Sequence, residues 1–322
     1  MRIAFVLSLL STLSACTTAA PCPAGETRIY RDGQDTTGTC QSTGSDSGDS
    51  ATTDSGDTAA TALTLANCAT TVASDVPKFY QDFFRCADIA IDGDSVMIHT
   101  HDLPPHPSSY YPTTDPNWEA WDDRGGDYHQ NPNTLSTQDS YVWVPLSPVA
   151  KGITVTSDMV DGFATTSTEE YNGGALGVGL DSVLLFAGFA APNDDISQEQ
   201  YTFDTWDGHP QETGVYHHHS PNPGALSVLV AEGLATTNVP GNAEIELYGI
   251  ACDGTVILGC TELDGSTPDE GDFDGQNGHV ADIVGPDATV YFTGRYHQHV
   301  CPGKYNDAYF AEIQYYTTCE TR

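Results

Sequence analysis

Ten of the eleven histidines in this 322-residue chain fall into three clusters. The clusters are His99, His101 and His106; His209, His217, His218 and His219; and His279, His297 and His299. Each contains a His-x-His step, and residues two apart on a β-strand project from the same face. Imidazole nitrogen is a common ligand of zinc and copper. The spacing therefore predicts sites for a transition metal, either copper or zinc.

The second and third clusters share a longer pattern of a Gly-His step followed by a Tyr-His-x-His step. The predicted ligands are His209, His217 and His219 in the first copy, and His279, His297 and His299 in the second. Neighbouring motif residues are Asp207, Tyr216, His218, Asn277 and Tyr296. A glycine before each turn histidine permits a close backbone approach. The spacing leaves open whether the two sets form one shared centre or two separate sites.

Each copy follows a similar hairpin sequence, which predicts an internal duplication. We name residues 175–220 lobe 1 and residues 247–300 lobe 2. The alternating and β-branched runs in both predict strands that bring the histidines together. We expect two related lobes that face one another.

Two further cation sites are candidates. His99, His101 and His106 form an additional candidate metal site. Asp264, Asp272 and Asp274 lie in a glycine-rich loop, and carboxylate oxygens suit calcium. The alternative for this loop is a solvated acidic segment without an ion.

The charge of the chain excludes several classes of function. Forty-five acidic residues against ten basic ones give a net charge of -35, which repels nucleic acid and anionic lipid surfaces. Such a chain attracts cations. The sequence also lacks the G-x-S-x-G, H-E-x-x-H and P-loop motifs.

The N-terminus predicts export. Residues 1–15 have the short basic start and apolar run of a signal peptide. The run ends in Leu13-Ser14-Ala15-Cys16, which resembles the bacterial lipobox and implies lipidation of Cys16. We therefore expect a bacterial cell-envelope protein on the outer membrane or cell surface, which contacts the membrane only through its lipid. Residues 16–62 would hold this anchor, a small Cys-closed loop and a Ser/Thr/Gly/Asp-rich stalk.

Eight cysteines remain after Cys16, an even number that suits disulfides in an oxidising compartment. Pairing of sequence neighbours predicts Cys22–Cys40, Cys68–Cys86, Cys252–Cys260 and Cys301–Cys319. A thiolate metal centre is the alternative, but the chain has no C-x-x-C spacing.

Residues 63–322 are predicted to form one mainly β, disulfide-bonded domain, like a sandwich or barrel. One short helix is expected near its start, capped by Asp75 and followed by the hairpin 89–101. Further strands are predicted at 140–144, 153–156, 175–186, 224–230, 244–250, 255–258, 289–293 and 310–316.

Several of these segments resemble one family. They are Val76-Pro77-Lys78-Phe79-Tyr80, Leu103-Pro104-Pro105-His106, Leu176 to Phe186, and Gly208-His209-Pro210 with Tyr216-His217-His218-His219. This pattern, spread over most of residues 63–319, is similar to the secreted YHYH-domain family, named for a Tyr-His-Tyr-His motif. The resemblance implies metal binding and no particular reaction. His218 and Gln298 stand where the family has its second tyrosine.

The sequence thus predicts an envelope lipoprotein whose lobes bind copper or zinc. One alternative is a metal-dependent hydrolase or oxidase acting on extracellular substrates. Another is a structural or adhesive surface protein whose tyrosines and histidines form a metal-free core. The sequence does not decide whether the protein is an enzyme.

Overall fold

The structure is a computed structural model that describes residues 26–29, 39–42, 60–164, 168–191, 194–304 and 309–322. The chain divides into two units, Met1–Thr58 and Ala59–Arg322. In the first unit, β1 (Glu26–Ile29) pairs antiparallel with β2 (Thr39–Ser42). The predicted signal peptide, Cys16, Cys22 of the predicted Cys22–Cys40 disulfide and most of the stalk lie outside the described residues.

The second unit is built mainly from strands. These are β3 (Thr71–Val72), β4 (Asp88–Asp92), β5 (Ser95–Thr100), β6 (Ser140–Pro145), β7 (Ala175–Gly179), β8 (Leu184–Phe186), β9 (Gly208–Pro210), β10 (Tyr216–His218), β11 (Leu247–Ala251), β12 (Val256–Leu258), β13 (Gly278–Val284), β14 (Val290–His299) and β15 (Glu320–Thr321). The α-helices are α1 (Lys78–Phe83), α2 (Ile196–Glu199) and α3 (Pro223–Ala231). Short 3₁₀ turns occur at Ser157–Met159, Gln200–Thr202 and Glu270–Asp272. No helix in the described part of the chain is long and apolar enough to cross a bilayer.

The smaller sheet has the strand order β15-β6-β5-β4-β3. Its β4–β5 hairpin is the predicted one, with Gly93 in the left-handed conformation that the tight turn requires. The apolar face of α1 buries Phe79, Tyr80 and Phe83. Pro77 precedes this helix, and no side chain caps it, so the predicted cap at Asp75 does not form.

The larger sheet shows the duplication directly. Its order is β13-β14-β12-β11-β7-β8-β10-β9, so the four strands of lobe 1 mirror the four strands of lobe 2. The halves meet where β11 pairs antiparallel with β7. The lobes are therefore adjacent halves of one continuous sheet, and the expectation that they face one another is wrong. The described residues of the second unit form two sheets, and neither closes into a barrel.

Three strand predictions are wrong. Residues 224–230 belong to α3, because the Asn222 side chain accepts a hydrogen bond from the backbone N–H of Ala225 and Pro223 occupies the first turn. Most of this apolar run is buried, namely Gly224, Ala225, Leu226, Val228 and Leu229, so its periodicity does not distinguish a helix from a strand. Residues 153–156 form no strand, and 310–316 make only isolated bridges. The described residues thus contain three α-helices where one was predicted.

The disulfides include the predicted Cys68–Cys86 bond. The other two described bonds join Cys252 to Cys319 and Cys260 to Cys301, so the predicted Cys252–Cys260 and Cys301–Cys319 pairings are wrong. Cys252 lies in the turn between β11 and β12, whereas Cys260 lies beyond the other end of β12, and backbone hydrogen bonds already close this hairpin. Each of these two cysteines instead bonds to a cysteine distant in sequence. The spacing of cysteines along the chain does not identify such a partner.

Burial of Glu312 predicts a pH-dependent stability. Its carboxylate accepts hydrogen bonds from the backbone N–H groups of Asp161 and Gly162. Desolvation nevertheless raises its pKa from 4.5 to about 7, so the folded state holds a proton that the unfolded state releases. The free energy of unfolding should therefore fall as pH rises from 4.5 to 7, by up to about 3 kcal/mol from this group.

Glu312→Gln should remove this contribution. We expect the variant to match the wild type at pH 4 and to be more stable at pH 8, measured by denaturant unfolding. Glu320→Gln, at an exposed position, is the control and should leave the pH profile unchanged. An equal pH dependence in Glu312→Gln and the wild type would contradict the prediction.

Candidate metal sites

The lobe 1 histidines, His209, His217 and His219, converge at one end of β9 and β10. The antiparallel register places His209 opposite His217, and His219 follows two residues later on the same face. The Nε2 atom of His217 lies 3.0 Å from the Nε2 atom of His209 and 3.0 Å from that of His219. All three side chains are buried.

The opposite ring nitrogens of these histidines are all occupied. The Nδ1 atoms of His217 and His219 lie against the carbonyl oxygens of Val215 and Ala187, at 3.2 Å and 2.6 Å. A carbonyl only accepts, so each Nδ1 carries the hydrogen and each Nε2 presents a lone pair. The same holds for His209, whose Nδ1 lies 2.7 Å from the Thr202 hydroxyl. That hydroxyl donates its hydrogen to the carbonyl of Glu199.

Three lone pairs therefore point at one another across about the distance of a hydrogen bond, with no hydrogen between them. Such an arrangement is repulsive unless a cation lies among the nitrogens. A tetrahedral zinc or copper ion with metal–nitrogen bonds of about 2.0 Å separates its nitrogens by roughly 3.3 Å. The lobe 1 group thus has the donor type and spacing to hold a metal ion.

The lobe 2 histidines, His279, His297 and His299, repeat this geometry on β13 and β14. His279 pairs with His297 across the strands. The Nδ1 atoms of His297 and His299 face the carbonyl oxygens of Arg295 and Gly259, which leaves both Nε2 lone pairs free. All three Nε2 atoms are buried and make no hydrogen bond.

A carboxylate completes the lobe 2 group. The oxygens of Glu262 lie 3.2 Å from the Nε2 atoms of His279 and His297, and 3.5 Å from that of His299. Three nitrogens and a carboxylate oxygen within reach of one point form a four-ligand set that suits zinc or copper.

Glu199 occupies a comparable position in lobe 1, with an oxygen 3.5 Å from the Nε2 atom of His209. Burial, reinforced by the charge of Asp194, raises the pKa of this carboxyl to about 7. Sequence reasoning missed both glutamates. They lie at different distances before their Gly-His steps, so no shared spacing marked them.

Burial also keeps the lobe 1 imidazoles neutral. Desolvation lowers the pKa of His219 to about 4 and holds those of His209 and His217 well below their usual range. Neutral imidazole is the form that binds a metal. The lobe 1 ligands are therefore ready for a metal ion at neutral pH without first losing protons.

A second repeated element supports each group from behind. Asp204 accepts hydrogen bonds from the Tyr216 hydroxyl and from backbone N–H groups of its own turn, and Asp274 does the same with Tyr296. The glycine before each turn histidine packs against that tyrosine ring; a Cβ on Gly208 would lie 2.4 Å from it. The predicted motif tyrosines thus position the turns, and they do not contact the Nε2 clusters.

The next motif residue, Asp207 or Asn277, has φ of 57° or 58°, the left-handed conformation that Asp and Asn tolerate. Phe203 and Phe273 cover the rings, stacking on His219 and His299. The full repeat is therefore Phe-Asp-x-x-Asp/Asn-Gly-His. Its Phe-Asp start was visible in the sequence at equal spacing in both copies but was missed.

The first histidine cluster does not assemble as predicted. His99 and His101 lie near one another on the smaller sheet, where His99 contacts Asp139 and His101 contacts the carbonyl of Gln138. His106 is buried elsewhere, stacked on Trp206. These three histidines do not form one group of converging ligand atoms among the described residues.

The calcium candidates also remain apart. Asp264 accepts a hydrogen bond from the backbone of Ser266, and Asp274 is committed to Tyr296 and its own turn. Asp272 is exposed in a 3₁₀ turn. No convergent group in the described part of the chain contains Asp264, Asp272 and Asp274.

A cavity of about 1120 Å³ opens near the two Gly-His turns. Its lining includes Asp207, Asn277, Gln298 and Glu312. None of the lobe 1 or lobe 2 histidines is among the described residues that line it. Space for a large substrate therefore lies beside the repeated turns and does not reach the Nε2 clusters.

Comparison with known families matches residues 143–272 to the family described as YHYH protein. This segment contains the lobe 1 histidines and ends before His279. It is narrower than the 63–319 span over which the sequence resembles that family. Comparisons with curated proteins and with solved structures found no match. The match to this family therefore covers residues 143–272, which is less than half of the chain.

Proposed function

We infer that the protein binds a transition metal, copper or zinc, at two separate sites, one in each lobe. His209, His217 and His219 would hold the first ion with Glu199 beside them, and His279, His297 and His299 would hold the second with Glu262. The convergence of three Nε2 lone pairs in each lobe carries this proposal. It has no favourable explanation without a cation or added protons.

The donor set supports copper or zinc over calcium or magnesium. Calcium and magnesium prefer oxygen ligands, whereas each lobe offers three imidazole nitrogens and one nearby carboxylate. The carbonyl oxygens behind the imidazoles fix the orientation of the rings, as in known metal centres. A bound ion would tie two strands and a carboxylate-bearing loop together in each lobe.

The geometry favours binding, storage or structural use of the metal over catalysis. A hydrolase or oxidase needs an open coordination position beside a substrate pocket. The lobe 1 histidines are each about 2% exposed, and the large cavity is not lined by them. The sites are thus closed by protein on most sides.

The proposed location is the bacterial cell envelope, with a lipid on Cys16. The signal-like N-terminus motivates this proposal, and the three disulfides of the described residues fit an oxidising compartment. Labelling of the expressed chain with a radioactive or alkyne fatty acid tests it. Cys16→Ser should abolish the label, and persistence of the label would contradict lipidation there.

Elemental analysis tests the metal sites. The chain, purified without an immobilised-metal column, should carry copper or zinc near stoichiometry, and a His217→Ala/His219→Ala variant should lose about one equivalent. The matched control is His99→Ala/His101→Ala, which removes a His-x-His step that does not converge on other ligands. Equal metal content in both variants, or no metal in the wild type after loading, would refute the proposal.

A further inference from the structure

A third cluster of ligand atoms lies on the opposite side of β10 from the lobe 1 histidines. His106, Asp181 and His218 come from the loop after β5, the β7–β8 turn and β10. One ligand atom of each lies within 4.8 Å of the others. All three side chains are at most 5% exposed. This grouping joins residues that no spacing in the sequence connects.

Each of these side chains has its other polar atom occupied. The Nδ1 of His106 lies 2.8 Å from the carbonyl oxygen of Pro107, and the Nδ1 of His218 lies 2.9 Å from that of Asp207. Oδ1 of Asp181 accepts from the backbone N–H of Val183. His106 Nε2, His218 Nε2 and Asp181 Oδ2 remain, and these three atoms are buried without a hydrogen-bond partner.

The three unpartnered atoms are all acceptors when the carboxyl is ionised. Asp102 is a second buried carboxyl group, on which the charge of Asp181 acts, and its Oδ2 also lacks a partner. No basic side chain is among the groups acting on either carboxylate. Buried acceptors and negative charges that lack a donor are costly, and a divalent cation would satisfy them together.

We propose that His106 Nε2, His218 Nε2 and Asp181 Oδ2 bind a divalent transition-metal ion at a buried site distinct from the two lobe sites. Two imidazoles and one carboxylate form a donor set that suits zinc, iron or manganese. Two neighbouring residues pack closely around the proposed ligands. A Cβ on Gly224 would lie 2.3 Å from Asp181 Oδ2, so a larger residue there would displace this carboxylate oxygen, and Trp206 stacks on the His106 ring at 4.1 Å.

Lobe 2 shows the same scaffold without such a site. Its equivalent of Asp181 is Asp253, whose Oδ2 accepts hydrogen bonds from the backbone N–H groups of Tyr315 and Tyr316. The equivalent of His218 is Gln298, whose amide donates to two backbone carbonyls. Backbone groups thus pair with the Asp253 carboxylate and the Gln298 amide nitrogen in lobe 2, whereas the equivalent atoms of Asp181 and His218 in lobe 1 have no partner.

Zinc stoichiometry of the full chain tests the proposal. Metal-free protein is loaded with excess zinc, freed of unbound ion by gel filtration, and analysed for zinc per chain. Asp181→Asn and His106→Gln should each bind about one zinc fewer than the wild type. Neither residue adjoins a lobe 1 ligand in sequence. His99→Gln is the control and should bind as much zinc as the wild type.

The outcomes separate this site from the proposed lobe sites. Unchanged zinc content in folded Asp181→Asn and His106→Gln would overturn the third site, whatever the lobe histidines bind. Loss of zinc in these variants but not in His217→Ala/His219→Ala would support it and count against the lobe 1 site. If the variants fail to fold, anomalous diffraction from zinc-loaded wild-type crystals decides. A peak among the three ligand atoms supports the site, and a water molecule there refutes it.

Discussion

Zinc at a thousandfold excess over its dissociation constant should raise the free energy of unfolding of the metal-free protein by about 4 kcal/mol for each lobe site. The reason is that the unfolded chain does not hold three imidazoles and a carboxylate together, so the ion binds the native state. Cations such as calcium, which prefer oxygen ligands, should stabilise the protein much less.

The two lobes should differ in how much they depend on their glutamate. The carboxylate oxygens of Glu262 lie within 3.5 Å of all three lobe 2 Nε2 atoms. In lobe 1, the Glu199 carboxylate forms such a contact with His209 alone, at 3.5 Å from its Nε2 atom. Glu262→Gln should therefore weaken zinc binding in lobe 2 by at least about 100-fold, and Glu199→Gln should weaken lobe 1 by about tenfold.

Titration calorimetry and thermal unfolding with and without zinc measure both effects. Glu320→Gln serves as the control, because this exposed carboxylate lies in β15 and belongs to neither group of converging ligands. If Glu262→Gln bound zinc as tightly as the wild type, Glu262 would not be a ligand. If zinc left the unfolding midpoint unchanged, the convergent histidines would have another explanation.

Replacing Cys252 and Cys319 together by alanine should cost about 4 kcal/mol of stability. These cysteines are 67 residues apart, and the bond ties the β11–β12 hairpin to the C-terminal end of the chain. A cross-link of this span removes much conformational entropy from the unfolded state. Cys252 is fully buried, so loss of its packing adds to the cost.

Removal of the Cys68–Cys86 bond is the matched comparison. It closes only 18 residues, so its loss should cost about 3 kcal/mol. Denaturant unfolding of both double variants under oxidising conditions measures the difference. If both double variants lost the same amount of stability, or if neither lost any, loop length would not govern the contribution of these bonds. Peptide mapping of the wild type should recover Cys252 with Cys319 and Cys260 with Cys301.

The sequence predicted the positions of residues well where the pattern that places them is short and local. The His-x-His steps lie on strands, and alternation of side chains alone places His217 beside His219 and His297 beside His299. The third histidine of each lobe comes from a Gly-His turn. Both copies of the repeat contain this turn, so the sequence could identify the histidine in each. The β4–β5 hairpin was equally local, since its turn and its alternating residues are contiguous in the chain.

Predictions failed where a local capping signal was overlooked and where the answer depends on partners distant in sequence. Residues 224–230 carry no signal that separates a buried helix from a buried strand, and the cap at Asn222 decides the matter. Cysteine spacing favoured neighbours, but the sheet brings Cys260 to Cys301 and Cys252 to Cys319.

By itself the sequence determined the acidic charge, the β-rich class, the duplication and the histidines that can act as ligands. Only the tertiary structure decided that the lobes form one continuous sheet, that their histidines make two groups, and that Glu262 joins one of them. It alone brings His106, Asp181 and His218 together. The physical reason is that short-range periodicity fixes which face a side chain occupies, whereas convergence on one point requires strands and loops distant in sequence to pack together.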